Sequence, residues 1–244
     1  MARYDGTLWE GVALRRLRVG ADPDAPPRPV AIPAAWEDEA AAALAALAPG
    51  DGAASLPRLA EAMFARALAR GAKAGVVDPR ESPRLAEGWR ALLLTRRGAP
   101  GLECWRAQPK AEARFVLNLP AFLEAEGALD LEGLAEAARL GVRFLDAWAS
   151  GKAARLRLGF ADLAGLLAAL DLPYDSDAAR DTAAALAALL RGAAEAESGR
   201  LAQRLGAREP VALLWPAPPA VTPVPGLAAA ARTALDAAAA SPGL

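Results

Sequence analysis

The chain has 244 residues, of which 54% are apolar, and a formal net charge of −1. This composition supports a sizeable core, and the charge balance gives no reason to expect a nucleic-acid partner. There is no histidine and one cysteine, Cys104, so a disulfide within the chain, a Ser-His or Cys-His pair and an ordinary zinc site are all excluded.

The sequence shows neither a signal-peptide core nor an apolar run that is long and charge-free enough to span a bilayer. Together with the single cysteine, this favours a cytoplasmic protein. We therefore expect no nucleic-acid or membrane contact, and we expect any macromolecular partner to be another protein or a second copy of the chain.

The N-terminal part of the chain is predicted to form an arm. Residues 12–19 alternate roughly between apolar and polar, which indicates a strand. The proline-rich residues 22–29 suit neither a helix nor a central strand. We therefore predict an N-terminal arm and linker over residues 1–29 and one helix-rich domain over residues 30–244.

Apolar residues at helical spacing predict a series of helices in the rest of the chain. Pro33 is expected near the start of the first helix, and Ser55, Ser82 and Asp130 at the starts of later ones, because these residue types favour helix N-termini. Gly98 is expected to close the third predicted helix as its left-handed residue.

Residues 156–206 predict a helix, a tight turn at Pro173 and a long second helix. Asp175 or Ser176 is expected as the N-cap of the long helix, and Gly206 as its end. We expect the leucine stripes of the two helices to pack on each other. These stripes consist of Leu163, Leu166, Leu167 and Leu170, then Leu186, Leu189, Leu190, Leu201 and Leu205.

Strands are predicted to be few and short. Candidates lie at residues 115–118, 155–158 and 211–215, and the proline-rich residues 216–225 then lead to an alanine-rich C-terminal helix. The predicted fold class is therefore mainly α with a few short strands.

Several blocks of the chain resemble the vitamin B12 (adenosylcobalamin)-dependent ribonucleotide reductases, in the order of that family. Residues 85–106, LAEGWRALLLTRRGAPGLECWR, are similar to its helix and "APNSPxWF" loop, and residues 115–148 to its "INLAAFV" strand and next helix. The stretch LGFADLAGLLAALDLPYDSDAAR is similar to "LGxMGLADLLxxLGLPYDSEEAR", residues 28–47 to the family's lead-in helix, and residues 208–216 to "RNATLLAIAP". The resemblance implies a helix-rich remnant of the reductase N-terminal and barrel regions.

Departures from the family bear on activity. The family needs a radical cysteine in an "NPCxE" loop and a reducing cysteine pair, and the chain has neither the motif nor a second cysteine. Because Cys104 lacks the flanking asparagine and glutamate, we interpret it as a small, partly buried apolar residue, with a catalytic role as the alternative. In place of the phosphate-binding "PTGTIS" loop, residues 216–221 read PAPPAV, which lacks glycine and hydroxyl groups and loses three amide donors to proline.

The resemblance implies a non-catalytic, reductase-like protein that acts by binding a nucleotide, a cobalamin or a reductase-related partner. The pocket that it implies contains Pro100, Gly101, Trp105, Asn118 and Gly159. The residues themselves predict no cofactor or metal, and adenosylcobalamin or a nucleotide is implied by the resemblance alone. Two alternatives stay open: a structural or protein-interaction helical module without a small ligand, and a small enzyme with different chemistry.

Overall fold

A computed structural model describes residues 6–108, 112–206 and 217–241. These residues form eight α-helices, a short 3-10 helix and two three-stranded sheets, which confirms a mainly helical fold with short strands. The helices are α1 (Asp38–Leu47), α2 (Leu56–Lys73), α3 (Ser82–Leu94), α4 (Leu102–Trp105), α5 (Leu131–Trp148), α6 (Leu163–Ala169), α7 (Asp177–Leu205) and α8 (Leu227–Ala239). The strands are β1 (Leu14–Val19), β2 (Arg28–Pro33), β3 (Ala54–Ser55), β4 (Gly98–Pro100), β5 (Arg114–Asn118) and β6 (Arg157–Ala161), and the 3-10 helix covers Leu119–Phe122.

The first sheet has the order β1–β2–β3. The expected strand β1 pairs antiparallel with β2, and β2 pairs parallel with β3. The predicted boundary at residue 29 falls within β2. Ahead of β1, the side chain of Trp9 is buried, and its Nε1 donates to Glu61 Oε1 of α2 at 2.8 Å. The N-terminal region therefore contacts the helices through both a sheet and a buried tryptophan.

Helix starts were predicted with mixed success. Asp130 caps α5 as expected, because its Oδ1 accepts the Gly133 amide at 2.7 Å. Ser55 precedes α2, although its side chain makes no capping bond. The expectation for Pro33 is wrong: this residue pairs with Leu14 at the end of the β1–β2 hairpin, and α1 begins only at Asp38.

The end of α3 also differs from the prediction. The amides of Arg96 and Arg97 donate to the carbonyls of Leu93 and Leu92, at 3.1 and 2.9 Å, and Arg96 takes the left-handed conformation with φ 59°. This Schellman arrangement closes the helix two residues before Gly98. Gly98 instead opens β4, where a Cβ would lie 3.0 Å from side chains of β5.

The second sheet has the order β4–β5–β6, with β5 antiparallel to β4 and parallel to β6. The predicted strand at residues 115–118 is confirmed, and the one at 155–158 is found slightly later as β6. The predicted strand at residues 211–215 and Pro216 lie outside the described residues. Residues 217–225 contain neither helix nor strand.

An aromatic cluster forms the centre of the core, where α5 meets α2, α3 and β5. The ring of Phe144 packs edge-on against Trp89 and Phe64, with centroids 5.2 and 6.4 Å apart, and stacks on Trp148 at 5.8 Å. Phe115 of β5 completes the cluster, with its ring centroid 5.8 Å from that of Phe144. These rings explain why the helical stripe of α5 and the inner face of β5 are so apolar.

Helix α7 runs for 29 residues and packs against α5 and α8, whereas α6 packs on the 3-10 helix. Packing of the two leucine stripes on each other is therefore not the main contact of either helix, because each stripe has its own principal partners. The side chains of Leu166, Leu167 and Leu189 are buried as expected, but Leu205 is 43% exposed. Helices α7 and α8 approach to backbone contact at Gly192, where a Cβ would lie 2.5 Å from the carbonyl carbon of Ala234.

No helix among the described residues combines the length and the apolar character that crossing a bilayer requires.

Candidate functional site

The two faces of the β4–β5–β6 sheet have different environments. Because side chains alternate along a strand, Phe115 and Leu117 point inward and are fully buried, whereas Val116 points outward and is 37% exposed. Val116 pairs with Ala99 on one side and Gly159 on the other, so these three residues share the outer face. A Cβ at Gly159 would have no atom within 4 Å, so the face is open there.

A shallow groove of about 350 Å³ crosses this outer face at the junction with α3. We refer to it as the sheet groove. It is lined by Trp36, Leu93, Arg96, Gly98, Ala99, Pro100, Val116 and Asn118. The lining is mainly apolar, with one guanidinium and one carboxamide at its edge, a composition typical of small-molecule sites.

The polar edge of the sheet groove is held in place by short contacts. The Arg96 guanidinium lies over the Trp36 ring, 5.3 Å from its centroid, and its NH1 donates to Glu37 Oε2 at 2.6 Å. Asn118 Nδ2 donates to the backbone carbonyl of Arg96 at 3.2 Å, and its own amide donates to Arg97 O at 2.9 Å. Asn118 Oδ1 makes no hydrogen bond with any described residue, so a ligand can use it as an acceptor.

The charge of Glu37 is also fixed by its surroundings. A hydrogen bond from its own backbone and one from the Arg96 side chain hold the pKa of Glu37 below its ordinary value. The carboxylate is therefore ionised at neutral pH and balances the nearby guanidinium.

Some of the predicted site residues lie in or beside the sheet groove, and others lie behind it. Pro100 and Asn118 line the sheet groove, and Gly159 lies on the same outer face. Gly101 and Trp105 do not line it. Gly101 is the N-cap of α4, and the Trp105 side chain is buried, with Nε1 donating to Pro100 O at 2.9 Å. Trp105 therefore positions the edge of the groove from behind.

Trp36 and Arg96 are site residues that the sequence interpretation missed. The available signal was the order helix–Thr95–Arg96–Arg97–Gly98. Because a strand follows the helix directly, the chain must turn sharply within these residues. The left-handed conformation of Arg96 provides that turn and presents its side chain to Trp36.

Cys104 lies on α4, and its side chain is fully buried. Burial, together with the charge of Glu103, raises the pKa of its thiol to about 12. A thiol in this setting is a weak nucleophile and out of contact with solvent. Cys104 therefore agrees with the interpretation as a small buried apolar residue.

The sheet groove, at about 350 Å³, is small beside a corrin ring with its substituents, and its lining offers no cobalt ligand. Among the residues that the structure describes, no group of three or more acidic, cysteine or histidine side chains is arranged to hold a metal.

Comparison with known proteins identifies similarity over the region that holds β5, β6 and α5 to α7. The family model for the ribonucleotide reductase barrel domain matches residues 116–211. Two vitamin B12-dependent ribonucleoside-diphosphate reductases of Mycobacterium tuberculosis, from strains CDC 1551 / Oshkosh and ATCC 25618 / H37Rv, are each 40% identical over 104 residues. The alignment covers 37% of this chain and only 15% of each relative.

Proposed function

Because the chain is a partial relative of the vitamin B12-dependent ribonucleotide reductases, we propose that it is a non-catalytic, reductase-like protein that binds a nucleotide at the sheet groove. One observation carries this proposal: Arg96, Trp36 and Asn118 offer a cation, an aromatic ring and a free acceptor around an open apolar face. The lone thiol, by contrast, is buried away from solvent. The fold is proposed to be a remnant of the reductase N-terminal and barrel regions.

The base and the phosphates of a nucleotide each have a counterpart in the groove. The flat face of Val116 and Ala99, extended by the bare backbone of Gly159, suits a base. Asn118 Oδ1 can accept from an exocyclic amine, and the Arg96 guanidinium retains donors beyond the one that Glu37 uses. The size of the groove favours a nucleotide over a cobalamin, and a reductase-related protein partner is the remaining option within this function.

Glu37 provides a specific test of the proposed phosphate contact at Arg96. Its carboxylate already pairs with the guanidinium that a phosphate would use, so it competes with the phosphate for that cation. Glu37→Gln removes this competition and is expected to strengthen the binding of ribonucleoside diphosphates roughly severalfold, while it leaves unphosphorylated nucleosides unchanged. An equal effect on both classes would contradict a phosphate contact at Arg96.

The test is an NMR titration and a thermal-shift series with ADP, CDP, GDP, UDP and adenosylcobalamin. Binding should shift the amides of Ala99, Val116 and Asn118 saturably. Gly159→Val places a side chain on the open face and should block binding. Gly52→Val, the same change in an open position on a remote loop, is the control and should bind normally. The absence of any saturable shift, or equal binding by both variants, would refute the site.

Lack of catalysis needs a separate measurement. Incubation with adenosylcobalamin, a dithiol and the four ribonucleotides is expected to give no deoxyribonucleotide above a blank without protein, because the chain offers one thiol and that thiol is buried. Turnover that is lost in Cys104→Ala would show that the enzyme hypothesis is correct.

A protein-interaction module without a small ligand is the second candidate function. It is supported by a different surface, a groove between α3, α5 and α7 that surrounds an apolar centre with arginines.

A further inference from the structure

The groove between α3, α5 and α7 has a volume of about 720 Å³ and is distinct from the sheet groove. We refer to it as the helix groove. Its lining from α5 is Glu136, Arg139, Leu140 and Arg143, which follow the spacing i, i+3, i+4, i+7 of one helical stripe. Helix α7 contributes Glu197, Arg200, Leu201 and Arg204 at the same spacing, and α3 contributes Arg84, Leu85, Glu87, Gly88 and Ala91 after its N-cap Glu81. Stripes of about two turns from each of three helices thus line one groove, and a helix is an element that can pack against such stripes.

The centre of the helix groove is apolar. Leu85 and Leu201 are mostly buried, with 7% and 6% of their surface exposed, and Leu140 lies between them on α5. Gly88 of α3 lets the Leu140 side chain pack directly against that helix, because a Cβ at Gly88 would lie 2.9 Å from it. Ala91, with its small side chain, lines the groove one turn further along α3. The groove thus resembles the hydrophobic grooves into which amphipathic helices bind.

Charged residues cross the base of the groove as a chain of ion pairs. Arg143 contacts Glu81 at 2.5 Å and Glu197 at 3.6 Å. Glu81 also lies 3.7 Å from Arg204, and Glu197 lies 2.7 Å from Arg200. Burial opposes the ionisation of Glu81, but the hydrogen bond from Arg143 and the two arginine charges outweigh it and lower its pKa. These pairs hold the three helices together and keep the acids charged.

The groove retains an excess of positive charge after these pairs are formed. Five arginines and four glutamates line it, and one of the four, Glu87, pairs with Arg90, which lies outside the lining. Arg84 is exposed and forms no hydrogen bond or ion pair with the part of the chain that the structure describes. Arg139 uses NH1 for Glu136, and its Nε has no acceptor among the described residues. The groove therefore favours an anionic occupant at its edges.

We propose that the helix groove binds an amphipathic helix of a partner protein, with an apolar stripe at i, i+3, i+4, i+7 and glutamate or aspartate residues on both sides of it. The stripe would cover Leu85, Leu140 and Leu201, and the acidic flanks would meet Arg84 on α3 and Arg200 and Arg204 on α7. A basic helix of the same shape is repelled by the same arginines. This charge complementarity sets the partner's chemistry.

The probe is a fluorescein-labelled, helix-stabilised peptide of about four turns, with leucines at the stripe positions and glutamates on the flanks. A matched peptide carries lysine in place of each glutamate. We expect saturable anisotropy with the acidic peptide, binding at least about tenfold weaker with the basic one, and a loss of affinity as salt is added.

Variants of the chain locate the binding site. Arg84→Glu should weaken binding of the acidic peptide roughly tenfold, because it reverses an edge charge that has no partner within the described residues. Ala91→Trp should block binding without any change of charge, because a large side chain at this lining position fills the groove. Arg58→Glu, on an exposed position of α2 outside the groove, is the control and should bind like the unchanged chain. Far-ultraviolet circular dichroism and melting curves verify that each variant is folded.

Several results would overturn the proposal. These are absence of saturable binding, equal binding of the acidic and basic peptides, or an equal loss in Arg58→Glu and Arg84→Glu. A dimer in light scattering that Arg84→Glu dissociates would assign the groove to a second copy of the chain instead of a partner. Saturating nucleotide should leave peptide binding unchanged, so failure of this inference and failure of the nucleotide proposal are separable.

Discussion

Two consecutive residues of α5 face opposite surroundings. Phe144 is fully buried at the centre of the aromatic cluster, whereas the side chain of Arg143 lies at the base of the helix groove and is 12% exposed. On the first side, contacts are dense and apolar, and water cannot replace them. On the second side, the contacts are ion pairs that join α5 to α3 and α7. The comparison indicates that one side of α5 is held by apolar packing and the other by paired charges beside the helix groove.

The aromatic side is expected to respond most strongly to mutation. Phe144→Ala should lower the free energy of unfolding by about 3–5 kcal/mol, because it removes the ring that contacts Trp89, Phe64 and Trp148. Urea denaturation followed by tryptophan fluorescence measures the loss. Phe144→Leu keeps much of the volume and should lose less. Similar, small losses for both would mean that the cluster is not the centre of the core.

The charged side should respond less, but still clearly. Arg143→Met is expected to cost about 2–4 kcal/mol, because it leaves the largely buried carboxylate of Glu197 with Arg200 alone and removes the closest partner of Glu81. The double variant Arg143→Met, Glu197→Gln removes the stranded charge and should recover part of the loss. A double variant less stable than the single one would contradict this explanation.

Another ion pair, between Glu61 and Arg90, predicts a pH dependence. Burial opposes ionisation of Glu61, but hydrogen bonds from Arg90 and Trp9 outweigh it, so the pKa of Glu61 lies below its ordinary value of 4.5. A lowered pKa in the folded state stabilises the protein fully above the unfolded pKa, and this stabilisation is lost as the pH falls below 4.5 and through the folded value. Glu61→Gln should cost about 1–2 kcal/mol at pH 7.

Melting curves between neutral and acidic pH test this expectation. The difference between the unchanged chain and Glu61→Gln should shrink as the pH falls below 4.5. Glu126→Gln, a change on an exposed loop for which no hydrogen bond or ion pair is found among the described residues, is the control and should leave the pH profile unaltered. A constant difference at every pH would show that the Glu61 carboxylate is not stabilised in its charged form.

The smallest effect on stability is expected at Arg84. Arg84→Glu should change the free energy of unfolding by no more than about 0.5 kcal/mol, since the residue is exposed and unpaired within the described chain. Because the same variant is expected to weaken peptide binding, it separates binding at the helix groove from stability of the fold. A large change in stability would instead assign Arg84 to the structural network.

Local chemistry allowed several elements to be predicted from the sequence. Asp130 was predicted as one N-cap, and Ser176 was one of two candidates, with Asp175, for another. The side chains of Asp130 and Ser176 accept the amides of Gly133 and Ala179 at 2.7 and 3.1 Å. Both predictions succeeded because a capping bond joins residues three apart, so it needs no knowledge of the remaining chain. The parallel pairing of β5 with β6 was not predicted, since it joins residues more than forty positions apart.

The two grooves could not be located from the sequence for the same reason. The sheet groove brings Trp36 against Arg96, and the left-handed residue that makes this possible is an arginine where a glycine was expected. In the helix groove, Glu136, Arg139 and Arg143 resemble an ordinary solvated helix face. Their role in the groove depends on Glu81, the N-cap of α3, and Glu197 of α7, which form ion pairs with Arg143.

The contact at Gly192 has a consequence for how helix register is maintained. Position 192 admits no side chain, because a Cβ there would meet the backbone at Ala234, which cannot rotate away as a side chain would. One helical turn to either side, α7 carries Ala188 and Ala196, whose methyl groups occupy the corresponding space. If α8 slipped by a turn along α7, its backbone would collide with one of those methyl groups. The absence of a Cβ at Gly192 thus favours one register for two alanine-rich helix surfaces that would otherwise fit together in several.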